Sequence, residues 1–322
     1  MSLVSAENVK AYYYTSAGSV KAVDGINMNV NRGEILGVVG ESGCGKSTLA
    51  STLMMNVRPP LRLVEGKISV DKYELTSMKR KEIRSKIWGT LISLVPQSAL
   101  NALIPIKKTR DIIKDVLKHH LKNLNNEEIN NLAKKRFKEL DLPIEVLNMY
   151  PHELSGGMKQ RAVIATSTLL NPKLLIVDEP TSALDVSTQK IVLKMIVDLR
   201  IRGIIESVVF ITHDIAILRQ ISDKITVMYA GKIVESSTAN EILENPVHPY
   251  SKGLINAVIT PEREVKRRGL SYISGQPPDL LSPPIGCRFY PRCELAKDLC
   301  QKQEPHLTEV RRNHFVACNF VK

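Results

Sequence analysis

A chain of 322 residues with 43% hydrophobic content can bury one large core plus an appendage, or two modest cores. Its longest apolar runs, such as LLIVDEP from Leu174 and SVVFIT from Ser207, fall short of the roughly 18 to 20 residues that span a bilayer, so a soluble protein is expected. The net charge of +12 is spread along the chain, with concentrations at 79–86, 107–122 and 262–268, and fits solvated helix faces before it fits an anionic membrane surface, a phosphate ligand or a nucleic acid.

In chain order, the N-terminal MSLVSAENVKAYYY has no basic region followed by an apolar block, so no secretory signal is expected. A cytoplasmic location follows, with mostly reduced thiols. Residues 20–39 predict two β segments with a turn at 31–33, the second a buried strand that runs into a glycine-rich turn. A helix is predicted over 47–55 and further apolar strands at 91–95, 174–178, 208–212 and 225–229. Strands separated by helical stretches predict an α/β sheet covered on both faces. Residues 110–141 break the rhythm with a long, charged, helix-period stretch, expected to be an inserted helical subdomain. Beyond about 240 the proline-rich NPVHPY and SGQPPDLLSPPIGC predict loops, a boundary near 260 and a small separate C-terminal unit.

The segment GESGCGKST, residues 40–48, has the two glycines, lysine and hydroxyl residue of a phosphate-binding loop, with a strand before it and a helix after it. Glycines let consecutive N–H groups turn toward phosphate oxygens, and the helix offers its positive end to the same anion. Gly40, Ser42, Gly43, Cys44, Gly45, Lys46, Ser47 and Thr48 are therefore candidate nucleotide-binding residues. Lys46 is placed to reach the β and γ phosphates and Ser47 to hold Mg²⁺; Cys44 fits as a small filler. LLIVDEP supplies Asp178 at a strand end as a magnesium carboxylate, and Glu179 beside it as a general base for the attacking water.

Between these segments lies LSGGMKQR, residues 154–161, which resembles the signature motif of ATP-binding-cassette ATPases. Ser155, Gly156 and Gly157 open a predicted helix and would form a second anion-binding N-terminus. In that family two cassettes pack head to tail, each ATP lying between one subunit's phosphate loop and the other's signature. Gln97 resembles the Q-loop glutamine, a catalytic residue and magnesium ligand; SALD at 182–185, with Asp185, resembles the D-loop; His213 resembles the switch histidine. Tyr13 falls where the family stacks adenine, and alternation along a strand sets it opposite Tyr12 and Tyr14. The resemblance covers residues 3 to about 240. It implies an α/β P-loop ABC ATPase cassette with an antiparallel β subdomain and a helical subdomain at about 98–165, hydrolysing ATP with Mg²⁺ through Lys46, Gln97, Glu179 and His213.

One phosphate loop, no membrane helices and too short a stretch between Lys46 and Ser155 for a long coiled coil leave a separate ATPase subunit that docks on membrane proteins. ENPVHPYSKGLINAV, GQPPDLL and GCRFYPRC resemble the C-terminal extension of ATPase subunits of the oligopeptide and dipeptide importer family, whose archaeal members also carry oligosaccharides. The resemblance implies domains over 1–260 and 261–322, a second and different ATPase subunit, two permeases, an extracellular binding protein, and a peripheral place on the cytoplasmic membrane face. A nucleic-acid-handling ATPase is the alternative of another class; no aromatic and basic binding module supports it, so no nucleic-acid partner is expected.

Cys287, Cys293, Cys300 and Cys318 are spaced C-x5-C-x6-C-x17-C, without the close pairs of structural zinc sites or the runs of ferredoxins. From the residues, an iron–sulfur cluster, zinc, two disulfides and unconnected thiols all stay open. The resemblance favours a [4Fe-4S] cluster, because a subset of these importers carries a four-cysteine iron–sulfur site in this extension.

Overall fold

The computed structural model describes residues 1–97, 102–182, 184–257 and 273–321. The expected boundary near 260, the basic run 262–268, the first residues of the expected insert at 98–101 and Ala183 of the D-loop-like segment lie outside the described residues. The chain forms two units: Met1–Ser77 with Phe210–Lys322, and Met78–Val209.

The first unit contains an antiparallel sheet in the order β2-β1-β4-β5, as the resemblance implied. β1 (Ser2–Thr15) pairs with both β2 (Gly18–Asn31) and β4 (Leu61–Val70), and β5 (Tyr73–Glu74) borders β4. Along β2, Ile26, Met28 and Val30 are buried while Asn27, Asn29 and Asn31 are exposed, the period-two pattern of a sheet with one wet face. β4 was not foreseen, because LRLVEGKISV alternates poorly and its interior Gly66 weakens the strand signal.

A second sheet in this unit is built on β3 (Ile35–Val39), whose five residues are all buried. β3 runs parallel to β9 (Lys224–Tyr229), with Val39 opposite Val227. β10 (Lys232–Thr238) turns back antiparallel on β9. On β8 (Ser207–Thr212) the chain passes from the second unit into the first. Its described α-helices include α1 (Lys46–Leu53), α7 (Ile215–Ile221), α8 (Ala239–Glu244), α9 (Pro249–Asn256) and a short one at Asp298–Lys302.

The C-terminal region corrects one expectation: a separate cysteine domain is not supported. β12 (His314–Val316) pairs antiparallel with β10, Glu235 opposite Val316, and β11 (Thr308–Arg311) follows outside it. A proline-rich segment has too few apolar side chains for its own core, so it buries Phe289, Val316 and Ala317 within the first unit. Glu235, fully buried, fixes the seam. Its carboxylate accepts the Val247 and His248 amides at 2.7 and 3.0 Å and meets His314 Nε2 at 2.7 Å. Burial pushes the neighbouring His248 down to about 3, so that imidazole stays neutral.

The second unit contains α2 (Arg80–Lys86), β6 (Ile92–Val95), α3 (Thr109–His120), α4 (Asn126–Glu139), α5 (Gly156–Ser167), β7 (Leu174–Asp178) and α6 (Val186–Ile201). β6 and β7 run parallel, Ile92 opposite Leu174. The expected helix-period stretch 110–141 is two helices. Asn125 ends the connection between them by accepting the Glu128 amide at 2.9 Å, while the Glu128 carboxylate accepts the Asn125 amide at 2.8 Å, a capping box that restarts the helix. Ile113, Leu117, Ile129, Ala133 and Phe137 are the buried faces of the pair.

Candidate nucleotide site

The strand β3 ends at Val39 and α1 begins at Lys46, so residues 40–45 form the turn between them. Two glycines there have no substitute. A Cβ on Gly40 would lie 2.2 Å from the Met228 carbonyl oxygen, and one on Gly45, at φ +106°, 1.9 Å from that of Ala22. The turn's backbone is therefore pressed against β9 and β2, and Ser42, Gly43 and Ser47 are left exposed on its outer side. Lys46 is 5% exposed and donates to the carbonyl oxygens of Gly40 at 2.7 Å and Glu41 at 2.9 Å. Its ammonium is thus held over the loop that an incoming phosphate would enter. Cys44 is buried, and that burial pushes its thiol up, away from the reactive thiolate, consistent with a packing role.

On β1, the Tyr13 hydroxyl is 3.2 Å from Thr48 Oγ1, so this tyrosine faces the start of α1. Tyr12 points elsewhere, donating to Asp24 at 2.5 Å, and Tyr14 is 45% exposed. The three tyrosines therefore separate as strand alternation required. His213 is exposed between β8 and α7, whose cap, Asp214, accepts the Ala216 amide at 2.8 Å.

In the second unit, β7 carries Asp178 at its end, 5% exposed. Glu179 follows at φ +46°, a left-handed conformation costly for a residue with a side chain and typical of functional strand ends. Gln97 follows β6 and donates its amide to Glu179 Oε2 at 3.2 Å, so the glutamine and the expected base meet. Ser155 caps α5 by accepting the Met158 amide at 3.3 Å. A Cβ on Gly157, in the first turn of α5, would lie 2.6 Å from Thr188 Cγ2 of α6, so that glycine permits a close approach between two helix starts, while Gly156 opens α5. Asp185 caps α6, accepting from the Thr188 amide at 3.0 Å, Thr188 Oγ1 at 2.7 Å and Ser187 Oγ. These hydrogen bonds hold its carboxyl far below the usual range. The expected D-loop aspartate thus serves locally as a helix cap.

The four C-terminal thiols are free. Burial raises Cys287 to about 11, and the nearby Cys300, Cys293 and Cys318 add to that shift, so the four share one neighbourhood. Among the described residues, however, no three His, Cys, Asp or Glu side chains are arranged to hold a metal ion. The expected iron–sulfur site is not supported by this placement. The segment is ordered instead by two arginines absent from the sequence-based candidates. Arg288 pairs with Asp24 and donates to the Ala230 carbonyl; Arg292 grips Glu41. The only sequence signal was two basic residues in CRFYPRC; nothing in the spacing pointed to their acidic partners.

A family profile described as ABC transporter matches residues 23–182, and one described as oligopeptide/dipeptide transporter, C-terminal region, matches residues 234–300. Over 98% of this chain and 96% of its own length, the dipeptide transport ATP-binding protein DppD of Caldanaerobacter subterraneus is 37% identical. The oligopeptide transport ATP-binding protein AppF of Bacillus subtilis is 37% identical over 95% of this chain and 92% of its own. Among solved structures, a dimeric post-hydrolysis state of the ATP-binding cassette MJ0796, bound to ADP and Pi, superposes with TM-score 0.65 at 26% identity over 73% of this chain and 98% of that one. None of these matches supports the nucleic-acid alternative. The phosphate-loop turn, the signature helix and these relatives together make the chain an ATP-hydrolysing member of the ATP-binding subunit family of oligopeptide/dipeptide-type ABC transporters.

Proposed function

We propose that this chain is one of two cassettes on the cytoplasmic face of a membrane importer, where ATP binding closes the pair and hydrolysis reopens it to drive uptake of oligopeptides or dipeptides. The carrying observation is the residue 40–45 turn, closed to any Cβ at Gly40 and Gly45 and holding Lys46 over its carbonyls. Residues 1–260 act as the nucleotide-binding domain, with a helical subdomain at about 98–165, and 261–322 as its extension. The partners are a second, different cassette, two permeases and an extracellular binding protein. No described helix is long and apolar enough to cross a membrane.

In this reading Tyr13 stacks the base, and the amides of 42–48 with Lys46 and His213 take the phosphates. The hydroxyl of Ser47, the carboxylate of Asp178 and the amide oxygen of Gln97 are the hard oxygen donors that Mg²⁺ prefers. When bound, that ion neutralises charge on the transferred phosphoryl group. Glu179 polarises water, with Gln97 fixing its carboxylate; Ser155, Gly156, Gly157 and Asp185 serve the nucleotide of the partner cassette. A [4Fe-4S] cluster on Cys287, Cys293, Cys300 and Cys318 is a separable part of the proposal. It rests on their shared neighbourhood and needs a rearrangement to a common centre. Iron bound with visible absorbance in anaerobically purified protein is the expected result; a colourless, iron-free, folded tail removes the cluster.

The whole reading is tested by ATPase activity of the assembled complex. Peptides delivered by the binding protein are expected to stimulate turnover several-fold, and stimulation by sugars alone would move the cargo to oligosaccharides. Full ATP-dependent homodimer activity of the purified chain would overturn the different-partner assignment.

A further inference from the structure

Glu41, the second residue of the phosphate loop, is bound through all three of its polar parts. Its amide donates to the Tyr250 hydroxyl at 2.9 Å, its carbonyl accepts from Lys46 Nζ at 2.9 Å and from the Cys44 amide at 3.3 Å, and its carboxylate accepts both Nη atoms of Arg292 at 2.7 and 3.0 Å. The last contact joins residues 251 positions apart in the sequence. Arg292 is itself fixed. Its Nε donates to the Ser274 carbonyl at 2.9 Å, Nη2 to that of Ile273 at 3.3 Å and Nη1 to the Tyr229 hydroxyl at 3.3 Å, and its side chain is only 5% exposed. The bidentate pairing with Glu41 holds the guanidinium in its charged form. Behind it, Tyr229, Tyr250 and Phe289 pack ring against ring, with centroids 4.6 to 5.4 Å apart, so the tyrosine that holds the Glu41 amide and the C-terminal segment are one packed cluster. Arg288, in the same CRFYPRC segment, holds Asp24, which also accepts the Tyr12 hydroxyl next to Tyr13.

We propose that the C-terminal extension is a brace for nucleotide binding, and that Arg292, acting through Glu41, is a positioning residue that pre-forms the phosphate loop. A loop with positive-φ glycines at 43 and 45 has little intrinsic order. Fixing it before ATP arrives removes an ordering cost that binding would otherwise carry. Because the brace lies on the Glu41 carboxylate and does not touch the reacting atoms, its loss acts on substrate affinity rather than on the chemical step. This deepens the nucleotide reading of residues 40–48 and rests on it.

The test uses the full-length chain and Mg-ATP, with binding followed by calorimetry and turnover by phosphate release in the assembled complex. Arg292→Ala is expected to weaken ATP binding and raise KM by about 5- to 10-fold, leaving kcat within about 2-fold, with an unchanged circular dichroism spectrum. Arg292→Lys keeps the charge but loses the fork and is expected to fall between. Glu41→Gln is expected to match Arg292→Ala, and the double variant to be no worse than either single one, the non-additivity of a shared contact. An Arg292→Ala protein that is folded with unchanged KM, one that loses kcat instead, or single effects that multiply in the double variant would each overturn the brace. If Arg292→Ala unfolds, Arg292→Lys and Glu41→Gln carry the comparison alone. Wild-type chain that fails to bind Mg-ATP would instead overturn the nucleotide reading itself.

Discussion

Glu179→Gln is expected to lower the ATP hydrolysis rate by about 10²- to 10⁴-fold, the range by which a positioned general base contributes, or roughly 3 to 5 kcal/mol of barrier. The side chains have nearly the same shape, and the Gln97 amide that donates to Glu179 Oε2 at 3.2 Å can donate equally to an amide oxygen. Local geometry therefore survives and only the charge and basicity are lost. Nucleotide affinity is expected to stay within a few-fold of wild type, and the ATP-bound variant to remain associated with its partner cassette, since reopening depends on hydrolysis. Single-turnover phosphate release alongside equilibrium ATP binding separates the two quantities. Full turnover in the variant would remove Glu179 from the role of base.

Gly45→Ala is expected to be the most damaging single methyl group in the phosphate loop. The added Cβ would stand 1.9 Å from the Ala22 carbonyl oxygen at φ +106°, against backbone that no side-chain rotation can move. Left-handed strain and forced overpacking each cost about 1–3 kcal/mol, so a loss of about 3 kcal/mol and failure to bind ATP are expected. Gly43→Ala is the internal comparison. Gly43 is also left-handed, at φ +79°, but a Cβ there meets nothing within 4 Å, so only the strain remains, about 1 kcal/mol. Thermal unfolding of the two variants without nucleotide measures the difference. Equal melting temperatures would show that the close approach at Ala22 is not what fixes the loop.

Both expectations rest on residues that the sequence made visible, because their chemistry is local. A glycine pattern, a lysine and a hydroxyl in fixed order make one turn between one strand and one helix, and LLIVDEP places an acid at a strand end within five residues. Ser155 was legible as a helix start for the same reason, whereas Asp185, expected only as a D-loop residue, caps α6 in the structure. Strands of strong apolar character were legible too, whereas β4, β11 and β12 were not, since short or weakly alternating strands exist by virtue of their neighbours.

The amino-acid sequence by itself determined the phosphate loop, the signature helix, the acid pair at 178–179 and the α/β rhythm, all set by spacings within a few turns of chain. Only the tertiary structure decided what the C-terminal segment does. Four evenly visible cysteines drew attention to metal chemistry, yet the described contacts that order the tail are β12 on β10, His314 on Glu235, Arg288 on Asp24 and Arg292 on Glu41. The reason is physical: an arginine's partner is whichever carboxylate the fold brings to its fork, and no spacing in the chain records a contact between residues 251 apart.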